Sequence, residues 1–589
     1  MGNGLPEIAP EERTPLVNRL LEIIQQQADE NQRLIDEIAI LKRLNARPKI
    51  KPSRLEDDKG QATNQQENQG EKRPGSAKRS KTAELKVTDE VVLAVLDAPP
   101  GSTVKGYEEI IVQDLEIKSK VTRYRRQRMQ LPDGRTVLAP LPAGVQGHFG
   151  AELIAYILMQ YHHNGVTQPL LLEELWERGI DISAGQLSRI LTENKEAFHQ
   201  EKEELLPAGL ESSSYINVDD TSARHQGKNG FCLHIGNELF CYFESTDSKS
   251  RLNFLEILRR PHTDYVINDT AVAYWKRQEL AAAWIDKLGR GPQEFADQAA
   301  WQARLAELGI SGERHVRIAS EGALLGSLIA HGVSPELAVM SDGALQFVVL
   351  LHILCWIHME RLLAKMIPIS ERHREAIEKI RDLIWELYRD LKAYRAKPDP
   401  ARSPELQARF DALVNQPTDF TTVNHVLKQM RERKAELLAV LERPELPLHN
   451  NTAESHLREY VKKRKISGGT RSNAGRRCRD TFTSLKKTCR CLGLSFWQYL
   501  VDRIKGLGQI PRLPDLIRQR AAENQAPDAT AVPACPPELA RRTGEGPPSR
   551  HDAGIPRAPG VLRTYERASS PTTSFSVANS LSYTARGQD

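Results

Sequence analysis

The run Tyr215-Ile-Asn-Val-Asp219 governs how the rest of the chain is read. An aromatic and two β-branched residues leading into an acid predict a strand that ends in charge. Gly230 to Ile235 and Leu239 to Ser245 are two more short strand-like runs, and Leu252, Leu255 and Leu258 then recur at helical spacing. Later, Leu337 to Met340 is a short apolar strand that delivers Ser341 and Asp342. Strands first, then helices, then another strand predict an α+β multidomain protein.

Working outward, Trp275 to Gly332 reads as a mostly helical insertion. A second helical stretch carries Ile377, Ile380, Ile384, Leu387 and Leu391 on one face, breaks at Pro398 and resumes over Thr421 to Leu441; Trp385 and Tyr388 are packing residues within it. Upstream, Leu153, Ile154, Ile157, Leu158 and Tyr161 share a helix face, and a second helix runs from Pro169 to Arg178. Gly179 ends that helix and Ser183 caps a third bearing Leu187, Ile190 and Leu191. This helix-turn-helix-like pattern would turn Gln186, Ser188 and Arg189 toward a groove. Gly106 to Val137 looks β-like around an Asp133-Gly134 turn, with Arg123, Arg125, Arg126 and Arg128 as either a phosphate-following ribbon or a solvated edge. Val17, Ile24, Asn31 and Ile38 alternate with Leu20, Gln27, Leu34 and Leu41 as the a and d positions of a dimeric coiled coil.

The expected organisation is a coiled coil over 11–45, a flexible linker over 46–90, a basic β-rich segment over 91–145 and a helix-turn-helix-like DNA-binding region over 146–205. A catalytic domain over 210–510 carries helical insertions at 270–335 and 360–445, and a Pro-, Ser- and Arg-rich disordered tail occupies 521–589.

The chain has 589 residues, a formal charge of +5 and seven cysteines without framework spacing, which points to reduced thiols. Residues 1–10 show no secretory signal, and the longest apolar run, Phe347 to Ile357, is too short to span a bilayer. A soluble cytoplasmic protein is expected. Cys489 and Cys491 form a C-x-C without a second ligand pair, and Cys355 with His358 supplies only two ligands. Neither closes a four-ligand site, so no zinc is expected.

Three acids stand where phosphodiester chemistry needs them: Asp219 and Asp342 after apolar strands, and Glu454 at the start of a helix after His449-Asn-Asn-Thr-Ala453. Such chemistry uses two divalent ions held by carboxylates from different elements. Each acid also has an ordinary explanation. Asp219 or Asp220 opens a turn, Asp342-Gly343 is a turn dipeptide, and Glu454 completes a capping box begun by Asn451. Asp220 competes with Asp219, and Asp269, after Tyr265-Val-Ile-Asn268, competes with Asp342.

The segments Val218-Asp-Asp-Thr221, Ser341-Asp-Gly-Ala-Leu-Gln-Phe347 with Cys355-Trp-Ile-His358, and His449 to Arg458 resemble the three acidic motifs of bacterial transposases of the insertion sequence sixty-six family. The resemblance continues through Glu459 to Phe482 and covers residues 150 to 505. It implies a ribonuclease H-like catalytic core with an Asp219, Asp342, Glu454 triad holding two Mg²⁺ or Mn²⁺ ions. Asp219 would bridge both ions, Asp342 would hold one and Glu454 the other, with His358 as a polar support. It also implies cleavage and joining of DNA at element ends by a nucleoid-associated homodimer. Many members carry a Cys-rich zinc segment before the helices, whereas residues 90–145 here contain no cysteine. Beside the acids, Arg458, Lys462, Lys463, Arg464, Lys465, Arg471, Arg476, Arg477, Arg479, Lys486 and Lys487 are expected to bind DNA phosphates, with Gly468-Gly469 allowing close approach of a strand. Two other readings remain: a DNA-binding regulatory remnant without activity, and a metal-dependent nuclease that never joins strands.

Overall fold

The computed structural model describes residues 87–94, 99, 101–368 and 370–525. The expected coiled coil, nearly all of the linker and the tail beyond residue 525 lie outside these. In chain order the elements are β1 (Arg128–Gln130), β2 (Thr136–Leu138), α1 (Ala151–Leu158), α2 (Gln168–Glu177), α3 (Ala184–Thr192) and α4 (Glu196–Glu211). Then come β3 (Tyr215–His225), β4 (Lys228–Gly236), β5 (Cys241–Thr246), α5 (Arg251–Leu258), β6 (Tyr265–Val266), α6 (Asp269–Arg277), α7 (Ala282–Leu288), β7 (Glu294–Phe295), α8 (Gln298–Glu307) and α9 (Glu313–Ala330). The C-terminal part holds β8 (Ala338–Ser341), β9 (Leu351–Leu354), α10 (Trp356–Ala364), α11 (Glu371–Ala396), α12 (Ser403–Val414), α13 (Thr421–Glu432) and α14 (Lys434–Leu438). It closes with α15 (Asn451–Ser467), α16 (Asn473–Cys491), α17 (Phe496–Lys505) and α18 (Leu513–Gln525).

A five-stranded sheet in the order β5-β4-β3-β8-β9 organises the protein. β3, β4 and β5 form an antiparallel meander, whereas β8 joins β3 in parallel and β9 joins β8 in parallel. β3 is central, so Ile216, Asn217 and Val218 are all buried although they point to alternate faces. β9 escapes sequence reading because its strand, Leu351-His-Ile-Leu354, follows β8 through a loop of nine residues, 342–350. That is shorter than the dozen or so usual between adjacent parallel strands.

Helices cover the sheet. α4, α5, α9 and α16 to α18 share the largest apolar core, with Ile216, Val218, Leu324, Val339, Phe482 and Tyr499 inside it. The stretch 270–335 is therefore no appendage: Ile318, Ala323, Leu324 and Leu328 of α9 are buried and the helix packs on α5, α6 and β6. The second stretch gathers around a core of its own. α11 carries Ile377, Ile380, Ile384, Leu387 and Leu391 into a separate core with Phe410, Val423 and Met430, and Tyr388 is buried in it. α12, after the break at Pro398, was not anticipated. α15 lies on the sheet through Leu457 and Tyr460, which meet Cys232, Cys241 and Phe243.

Two expectations shrink. Residues 101–127 have no regular structure and are exposed; only three residues on each side of the Asp133-Gly134 turn pair, Arg128 with Leu138 through Gln130 with Thr136. Pro140 and Pro142 follow at once, and proline cannot donate to a ladder. The α2-turn-α3 unit forms where expected, but Gln186 closes a capping box with Ser183 (2.8 and 3.2 Å), so its side chain is engaged locally. The chain also remains helical through 521–525, where the tail was expected to begin. Among the described residues no helix is long and apolar enough to cross a membrane.

Candidate active site

Three elements that are remote in sequence bring the acids together. Asp219 lies within β3, Asp342 directly follows β8, the strand paired with β3, and Glu454 sits in the first turn of α15, which packs over β3. Burial pushes the Asp219 carboxyl up to about 7, and the charges of Asp342, Asp220 and then Glu454 add to that effect. Asp219 Oδ1 accepts a hydrogen bond from the Asp220 backbone N–H (2.7 Å), and Asp342 Oδ1 accepts one from Ala344 (3.0 Å). The turn reading of Asp342-Gly343 holds. Gly343 has φ +98°, and a Cβ there would meet Arg433 at 2.6 Å and Leu354 at 2.8 Å. Glu454 belongs to no capping box, because Asn450 rather than Asn451 is the N-cap and it makes no side-chain cap. A cleft of about 700 Å³ opens on this site, lined by Asp219, Asp220, Thr221, Glu454, Arg458, Lys462 and Lys465 among others.

The two competing acids are placed differently. Asp220 accepts from Gln346 Nε2 (2.8 Å) and pairs with Lys249. Asp269 opens α6 beside a separate two-stranded sheet of β6 and β7.

Several residues the sequence reading left without a role build the site. Arg361 clamps Glu454 with both guanidinium nitrogens (2.6 and 3.4 Å), and His358, one turn earlier on α10, stands 3.6 Å from the same carboxylate. His358 thus sits where it was expected, and burial holds its pKa below the usual value while Glu454 and Asp342 oppose that shift. Asn450 is fully buried. Its amide donates to Val218 O (2.8 Å), its carbonyl accepts from Asn217 (2.9 Å), and its backbone N–H reaches Cys355 Sγ (3.2 Å). One residue therefore ties the start of α15 to β3 through its side chain and to the start of α10 through its backbone. Cys355 is thus structural, its thiol pushed up to about 11 by burial. On the other side, Ser341 Oγ meets His352 Nε2 and His352 Nδ1 meets Glu436, both at 2.7 Å, which anchors the strand end before Asp342. The i, i+3 spacing of His358 and Arg361 and the doubled Asn450-Asn451 were visible signals.

The basic stretch divides sharply. Arg458, Lys462 and Lys465 are exposed, spaced i, i+4, i+7 on α15, and line the cleft with Glu454; Arg471 is also exposed. The others make contacts within the protein, and the burial of Arg479, Lys486 and Lys487 does not fit the expectation that they bind phosphate. Lys463 donates to Tyr161 O (2.8 Å), lies over the Tyr161 ring, and is pushed down to about 7 by burial and by Arg479 and Lys486. Arg464 bonds Thr221 (3.1 Å) and Ser222. Arg476 pairs with Asp247 and Arg477 with Glu196, both at 2.9 Å, and Lys486 pairs with Glu459 (3.0 Å). Arg479, Lys486 and Lys487 are buried in α16, a helix sealed among the sheet and its neighbours. Gly468-Gly469 does allow close approach, but of β3 itself. Thr470 bonds Arg224 O and Gln226 N at 2.9 and 2.8 Å, and a Cβ at Gly469 would lie 2.4 Å from Arg224 O.

A hard divalent cation takes oxygen ligands, and a buried carboxylate beside other carboxylates is stabilised by one. Asp219, Asp342 and Glu454 fit such an ion, with Glu454 sharing its charge with Arg361. Acids converging beside a row of cations are the arrangement expected of an enzyme that acts on a polyanion.

Comparison with known proteins identifies which class. The family described as Transposase IS66 family matches residues 345–477, a span that holds His358, Arg361 and Glu454 and begins just past Asp342. The chain is also 43% identical over 321 residues to "Uncharacterized protein y4jO" of Sinorhizobium fredii (strain NBRC 101917 / NGR234), covering 54% of this chain and 100% of that protein. No solved structure matches. This chain belongs to the IS66 family of transposases.

Proposed function

We propose that the protein cleaves and joins DNA strands at the ends of a bacterial insertion sequence, using Asp219, Asp342 and Glu454 as ligands for two Mg²⁺ or Mn²⁺ ions. The observation that carries this reading is geometric: Asp219 and Glu454 line one cleft with Arg458, Lys462 and Lys465, and Asp342 stands at the end of the strand paired with β3. The strand order β5-β4-β3-β8-β9, with one antiparallel meander and two parallel neighbours, supports a ribonuclease H-like core. Bound divalent ions supply an activated oxygen nucleophile and stabilise the leaving oxygen. The chain's own groups do the rest. The exposed face of Arg458, Lys462 and Lys465 draws a phosphate backbone against the repulsion of the acids. Arg361 and His358 orient Glu454, and Asn450 fixes the helix start that carries it. Joining two ends calls for two protomers, and the heptads over 11–45 are the proposed means of pairing.

Incubating the full chain with end-containing DNA and Mg²⁺ tests this. Wild type should cleave and, given pre-cut ends, yield joined product, whereas Asp342→Asn should do neither while still binding. Equal inactivity of both with intact binding would make the protein a regulator; cleavage without joining would make it a nuclease.

A further inference from the structure

Outside the acids, four potential metal ligands converge from four elements. His234 of β4, Cys241 at the start of β5, His456 of α15 and Cys491 at the end of α16 meet where that helix pair crosses the sheet. His456 Nδ1 lies 2.9 Å from Cys241 Sγ and 3.1 Å from His234 Nε2. Cys491 Sγ lies 3.9 Å from Cys241 Sγ and 4.0 Å from His456 Nε2. His234 and Cys241 are completely buried, and His234 Nδ1 is buried without a hydrogen-bond partner. The ligand atoms of His234, Cys241 and His456 all lie within 4.8 Å of one another.

Hydrogen bonding explains this cluster poorly. An imidazole nitrogen carries either one proton or one lone pair and makes one good hydrogen bond, yet a sulfur and a second ring nitrogen both close on His456 Nδ1. A tetrahedral zinc ion, with Zn–S about 2.3 Å and Zn–N about 2.0 Å, sets its ligands roughly 3.3 Å (N to N), 3.5 Å (N to S) and 3.8 Å (S to S) apart. The observed 3.1 Å (N to N) and 3.9 Å (S to S) lie near those spacings and 2.9 Å (N to S) is shorter, while Cys491 stands on the Nε2 side of His456, so a modest shift of its thiol would complete a set that His234, Cys241 and His456 already form.

We infer that His234, Cys241, His456 and Cys491 form a structural zinc site that pins α15 and α16 to the sheet. Its place matters for the acids. His234 faces Asp219 across the β3–β4 pair, and His456 follows Glu454 by two residues on α15. A metal there holds the helix of one acid to the strand beside another. The expectation of no zinc counted ligands close in sequence, and these four are spread over 258 positions. Cys489, the other half of the C-x-C, points into the large core instead.

Zinc analysis of the full-length chain after extensive dialysis tests the inference. About one zinc per chain is expected, and X-ray absorption at the zinc edge should return two sulfurs near 2.3 Å and two nitrogens near 2.0 Å. Cys491→Ser should lose most of the zinc, and Cys489→Ser should keep it. Wild-type protein without zinc, a coordination shell of oxygens alone, or equal loss in both variants would overturn it. Because the absorption spectrum is read on wild type, misfolding of Cys491→Ser leaves the test intact.

Discussion

Replacing Asp219 by Asn should stabilise the metal-free protein at alkaline pH while removing its activity. The shift of this carboxyl from 3.8 to about 7 is roughly three units, and at about 1.36 kcal/mol per unit it amounts to about 4 kcal/mol. Burial is the largest cause, and an Asn in the same place still pays for burying its amide, so we assign about half of that, about 2 kcal/mol, to the single substitution. An acid whose folded pKa is raised contributes stability that is complete below its unfolded value and is lost as pH rises through the folded one. For Asp219 that window runs from about 4 to about 7. In chelator at pH 8, Asp219→Asn should therefore melt roughly 2–4 °C above wild type, whereas at pH 5 the two should nearly coincide. Added Mg²⁺ at pH 8 should raise the wild type and close the gap, since an ion that binds only the folded state stabilises it. Thermal melts at two pH values, with and without Mg²⁺, are sufficient. A variant equally destabilised at both pH values would mean that the Asp219 carboxyl is not raised by its buried, acidic surroundings, and the proposed cation pocket would lose its basis.

Three further outcomes follow from the site. Glu454→Gln should lower strand cleavage at least about 100-fold, about 2.7 kcal/mol in the barrier, with DNA affinity little changed in a gel-shift titration. Arg458→Ala, Lys462→Ala and Lys465→Ala should each weaken DNA binding and flatten the log affinity against log salt slope by about 0.9, whereas Lys486→Ala should lower the melting temperature instead. Asn450→Ala leaves Val218 O and the Asn217 amide without their partner and should cost about 2–3 kcal/mol in denaturant unfolding; an unchanged midpoint would remove its role as the tie between α15 and β3.

Much of this protein is legible in its one-dimensional pattern. Tyr215 to Asp219 reads as a strand and is one, but the strand does not end at Asp219: it runs on to His225 because β4 pairs with it over that length. The Ile377 to Leu391 face reads as a buried helix because amphipathic periodicity is a local property, set by which side chains leave water. Ser183 and Gln186 could be recognised as a helix start because capping acts over three residues. The acids were legible only through their motifs.

Tertiary structure decided what each charge and ligand does. Eleven cations after Glu454 look alike in sequence, yet α16 turns Arg479, Lys486 and Lys487 into the interior while α15 leaves Arg458, Lys462 and Lys465 facing the cleft. Gly469 meets β3, Arg361 meets Glu454, and Cys491 meets Cys241 and His456, each across more than thirty positions. Local sequence governs backbone propensity and which faces are apolar. It says little about whether a lysine finds water, a carboxylate or an aromatic ring, because electrostatic and ligand interactions depend on distance through space, and only the packed chain sets those distances.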